Sequence, residues 1–71
     1  MTLNGKLVQV AKPSGENRLA EGAVGVAWTV AGMGIDDVET ANMYLLEAES
    51  LADQEKVEGL LFTEGELEPL P

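Results

Sequence analysis

Between Asp36 and Glu58 the apolar spacing, the end signals and the charge agree on one element, and that agreement constrains the fold more than any other feature of the chain. The spacing predicts a single long helix. It would open at Gly34-Ile35-Asp36-Asp37-Val38-Glu39, where Asp36 accepts from freed backbone N–H groups and Glu39 reaches back as a capping-box partner. On a helical wheel Val38, Ala41, Tyr44, Leu45, Ala48, Leu51 and Ala52 make one broad core-facing stripe. Met43, Leu46 and Val57 fall on a second side with Ser50 between them, bordered by Glu39, Glu47, Glu49, Asp53 and Glu58. A helix that is apolar on two sides is either sandwiched in its own fold or presents one side to another chain. The residues expected to bind a partner are therefore Glu39, Met43, Leu46, Glu47, Glu49, Ser50, Asp53, Val57 and Glu58.

The segments around that helix read as short strands and turns. Lys6 to Lys12 is β-branched and flanked by Asn4-Gly5 and Pro13-Ser14-Gly15, which marks a strand between turns. Leu19 to Ala31 carries two patterns. Val24, Val26, Trp28 and Val30 alternate with Ala23, Gly25, Ala27 and Thr29 at period two, while Leu19, Ala23, Val26 and Val30 recur at helical spacing. The β-branched residues, Trp28, Gly22 and Gly25 weigh against the helix. Gly59 fits a left-handed terminator, and Leu60 to Thr63 is either a third strand or a last apolar turn. From Glu64 two prolines, a glycine and alternating acid and leucine describe a tail without intrinsic structure. The expected architecture is α+β: a single small domain over residues 1–63, two or three short strands packed on one long acidic helix, and an acidic tail over 64–71. The alternative is an all-α helical hairpin.

A chain of 71 residues lies near the lower limit for folding without help, and the usual aids are a disulfide, a metal or a partner. With no cysteine and no histidine, disulfides and the common zinc, haem and iron–sulfur ligand sets are excluded. Association becomes the favoured aid, with a homodimer or higher oligomer expected through Met43, Leu46 and Val57. The charge is segregated: residues 1–35 sum to 3 − 2 = +1 and residues 36–71 to 1 − 11 = −10. Such a field repels nucleic acid and anionic membranes and attracts basic protein surfaces. No apolar run approaches the ~20 residues of a membrane span, and no signal-peptide pattern opens the sequence. A cytoplasmic protein is expected.

Candidate chemistry is sparse. Histidine- and cysteine-based nucleophile pairs cannot be built, and thirteen carboxylates need a walled cleft that so short a chain has little material to make. No enzymatic activity, cofactor or metal site is expected. Gly32-Met33-Gly34 lacks the third glycine of a dinucleotide fingerprint, where Asp37 stands instead, and reads as a tight turn. Asp36, Asp37 and Glu39 do not match a calcium loop. Glu49-Ser50-Leu51 resembles the acid-Ser-Leu tripeptide on which acyl carrier proteins bear their prosthetic arm, which would make Ser50 the attachment point. That resemblance covers three residues. In that family the serine opens a helix and further helices follow, whereas Ser50 is expected inside a helix with 21 residues after it. The expected function is a small acidic interaction module, an inhibitor or regulator that binds a basic partner surface as phage-type inhibitors and nucleic-acid mimics do. A self-associating structural subunit is the alternative, and a carrier-type protein a minor one.

Overall fold

The computed structural model describes residues 3–34 and 39–71. Its elements are β1 (Leu7–Val10), a 3-10 helix (Gly15–Ala20), β2 (Val24–Thr29), a 3-10 turn (Ala31–Met33), β3 (Tyr44–Ala48), α1 (Leu51–Val57), a 3-10 turn (Glu64–Glu66) and β4 (Leu67–Pro69). The strands form one antiparallel sheet in the order β3-β2-β1-β4. The α+β class stands and the all-α hairpin does not. Among the described residues four strands replace the expected two or three, and one seven-residue α-helix replaces the long one.

The expected helix gives way to a strand because β2 supplies β3 with a paired partner at every position. Gly25, Val26, Ala27, Trp28 and Thr29 register against Ala48, Glu47, Leu46, Leu45 and Tyr44. Tyr44-Leu45-Leu46-Glu47-Ala48 satisfies period two as well as period 3.6, and long-range pairing chooses the former. Helical structure begins only after Ser50, whose Oγ accepts from the Asp53 N–H at 3.1 Å as a normal N-cap. The cap expected at Asp36, with Asp37 and Val38, lies outside the described residues. Gly59 ends the helical segment with φ 78°, as the sequence suggests. Leu60 to Thr63 contributes a single bridge, Phe62 to Tyr44.

Residues 64–71, expected to be a structureless tail, instead supply the turn Glu64–Glu66 and the edge strand β4. The cause is Glu66, only 6 % exposed. Its carboxylate accepts from the backbone N–H of Thr63 at 2.9 Å and of Ser14 at 3.0 Å, and from Asn17 Nδ2 at 3.1 Å. Asn17 Nδ2 also donates to Leu61 O at 2.8 Å. One buried acid thereby ties the loop before the first 3-10 helix to the chain leading into β4.

Register and burial divide the sheet into two faces. Val8, Val10, Ala27, Tyr44, Leu46 and Leu67 point inward and pack with Ala20, Val57 and Phe62, so the 3-10 helix Gly15–Ala20 and α1 cover that side. The opposite side carries Leu7, Val24, Val26, Trp28 and Leu45, together with Gln9, Glu47 and Glu68. Leu70, whose N–H donates to Leu7 O at 2.9 Å, extends it. On this outer side Leu7 and Trp28 each remain 38 % exposed.

Both edges of the sheet are largely blocked to further strands. On β4 the outward positions are Leu67, whose N–H donates to Glu64 O, and Pro69, which has no N–H. On β3 the Tyr44 backbone exchanges bonds with Phe62 at 2.8 and 2.9 Å, and the Ala48 N–H donates to Gln54 Oε1 at 3.0 Å. Between them a single outward backbone position, Leu46, remains on β3.

Candidate functional site

At the β3 border of the outer face an open pocket of about 300 Å³ lies between the sheet and the C-terminal end of α1. Leu46 and Val57, both core residues, line its depth. Trp28, Met33 and Leu45 line it from the sheet and the turn after β2, and Gln54 and Gly59 from the helical side. Its two charged lining residues are Glu47 and Glu58, both exposed carboxylates.

Local structure explains each position. Glu47 alternates with Leu46 along β3, so one points outward while the other is buried. Glu58 is the C-cap of α1 and its N–H donates to Gln54 O, which holds the backbone while the side chain stays in solvent. Gln54 sits one turn earlier and is fixed by its bond from Ala48. Trp28 lies against Gly5, where an added Cβ would meet Cζ3 at 3.7 Å.

The residues expected to bind a partner are thus redistributed. Leu46, Glu47, Val57 and Glu58 converge on this pocket, although not as a strip on one helix. Leu46 and Val57 are buried and belong to the core, so the continuous apolar strip with Met43 does not exist. Met43 is half-buried just before β3, and its carbonyl accepts from the Val30 N–H at 3.0 Å. Glu39 and Glu49 are exposed outside the pocket. Asp53 accepts from the Val24 N–H at 3.2 Å and serves the fold. Ser50 opens α1, as the serine of acyl carrier proteins opens its helix, but a 3-10 turn and a strand follow rather than further helices. Trp28, Met33, Leu45, Gln54 and Gly59 were missed. For Trp28 and Leu45 the signal existed, since both sit at outward positions of period-two segments and are paired across the strands.

A second opening of about 500 Å³ is lined by Glu16, Leu19, Ala52, Glu55, Lys56, Glu58 and Leu60. Leu19 is 86 % exposed there, but Lys56 stands among the carboxylates and the charge is mixed. Among the described residues no group of three or more His, Cys, Asp or Glu is placed to hold a metal ion, and no helix is long and apolar enough to cross a membrane. No family model, curated protein or solved structure matches the chain.

Proposed function

We propose that this chain is a small acidic protein–protein interaction module, an inhibitor or regulator that binds a basic partner surface at the β3 border. The observation that carries the reading is the pocket itself: apolar depth and walls from Trp28, Met33, Leu45, Leu46 and Val57, with Glu47 and Glu58 as its charged lining. An apolar centre within a charged border is how interfaces combine desolvated contact with steering. The sheet edges being largely blocked, a partner has mainly side chains rather than a run of strand hydrogen bonds to recognise. On this reading the protein works by binding, without a catalytic group.

The test is capture of basic proteins on the immobilised chain at about 50 mM and about 500 mM salt, a range over which exposed charge pairs are progressively screened. A retained partner should elute at high salt and fail to bind Glu47→Lys or Glu58→Lys. Retention unchanged by either reversal would remove the reading.

Self-association through the outer sheet face is a second reading, favoured by one observation. Leu7, Val24, Val26 and Leu70 extend the apolar surface away from the pocket, across the central strands, and the carboxylates of this face, Glu47 and Glu68, sit on the two edge strands. Sedimentation across a protein concentration series at low and high salt separates the two, because apolar pairing persists as salt rises and charge-led binding weakens.

A further inference from the structure

We infer that the pocket between β3 and the end of α1 is a subsite for one arginine side chain of the partner; the inference rests on the basic-partner reading above. At about 300 Å³ it lies at the low end of the range of about 300–1,000 Å³ typical of ligand pockets. That size suits one long side chain and not a packed element. Both charged residues lining it, Glu47 and Glu58, are acidic. Both carboxylates stay exposed at the border, so a cation entering beside them gains a pairing that a neutral occupant does not.

The remaining wall selects among cations. Met33 and Leu45 offer apolar surface for a methylene stem, above a floor closed by the buried Leu46 and Val57. Trp28 offers an indole on the same sheet face as Glu47 and diagonal to it across β2 and β3, and a guanidinium stacks on an aromatic face while pairing with carboxylates through its planar donors. The ammonium of lysine is more strongly hydrated and lacks the planar fork. Leu46 adds the one outward backbone position on β3 between the bridge at Tyr44 and the Gln54-capped N–H of Ala48.

Trp28 is the only tryptophan in the chain, so the pocket carries its own reporter. The intact protein is titrated with a blocked glycine-arginine-glycine tripeptide, with its lysine analogue, and with its citrulline analogue, which keeps the shape and removes the charge. Saturable change of Trp28 emission is expected with arginine, several-fold weaker binding with lysine, and no saturation with citrulline. Glu47→Gln and Glu58→Gln should each weaken the arginine peptide by about threefold or more. Both substitutions are at exposed positions, and a melting curve matching the parent shows that the fold is retained. Equal response to arginine and citrulline, or arginine binding that ignores both substitutions, overturns the proposal. So does a pocket closed by a second copy, seen as a dimer whose Trp28 emission no peptide changes. If a basic protein is captured and lost with Glu47→Lys while the arginine peptide does not bind, the arginine subsite fails and the interaction-module reading survives.

Discussion

Glu66 is the residue whose chemistry departs most from its appearance in the sequence. Burial pushes its carboxyl pKa up, but the N–H groups of Thr63 and Ser14, the Asn17 amide and the Thr63 hydroxyl outweigh that and hold it below its ordinary value of 4.5. A depressed folded-state pKa contributes stability above the unfolded pKa, and that contribution is lost as pH falls through the folded value. The stability of the parent from urea unfolding should therefore exceed that of Glu66→Gln by about 2 kcal/mol at pH 7, the scale of hydrogen bonds to a charged group. The gap should narrow on acidification below about pH 4.5, and a gap independent of pH would show that the charge is immaterial. Gly25 is the second decisive residue. A Cβ there would sit 2.7 Å from the Glu47 carbonyl oxygen and 3.0 Å from Ala48 Cα, so β2 and β3 approach at a distance only glycine permits. Gly25→Ala is expected to cost about 1–3 kcal/mol, as overpacking of fixed backbone does, read from chemical denaturation.

Among the elements, α1 and β3 depend on one another although neither is strongly specified alone. A helix of seven residues is too short to persist without its packing, and α1 gains that from β3 and the first 3-10 helix. Its start is fixed by Ser50, so Ser50→Ala should lower stability by about 1 kcal/mol, measured by thermal melting. Asp53 serves twice: its N–H meets Ser50 and its carboxylate meets the Val24 N–H. Gln54 guards the edge of β3 in the same way that Pro69 guards β4. Gln54→Ala exposes the Ala48 N–H, and slow aggregation at high concentration, followed by light scattering, is the expected consequence. The helix expected through Tyr44–Ala48 gives way because its apolar spacing is shared by two geometries. Tyr44, Leu46 and Ala48 lie on one face of a strand, and that face is the one that meets the core.

For the molecule as a whole, a net charge of −9 on 71 residues implies self-repulsion that salt relieves, so the melting temperature should rise between about 10 mM and about 300 mM sodium chloride. A flat response would mean that the carboxylates are too dispersed to repel. Composition and local pattern by themselves determined the strand around Leu7–Val10, the turn at Gly59 and the lack of disulfide and histidine chemistry, and favoured the α+β class and a strand at Val24–Thr29 over helical alternatives. These follow from short-range rules: alternation, β-branching, and the backbone freedom of glycine. Only the tertiary structure decided that Tyr44–Ala48 is a strand, that Glu64–Pro69 is ordered, and that Leu46 and Val57 lie beneath Glu47 and Glu58 in one pocket. Each of those outcomes rests on partners far away in the chain, such as the Ser14 and Asn17 groups that meet Glu66 across 52 and 49 positions. Closing such contacts costs chain entropy that only the assembled sheet and core repay, so no window of local sequence decides between the alternatives it carries.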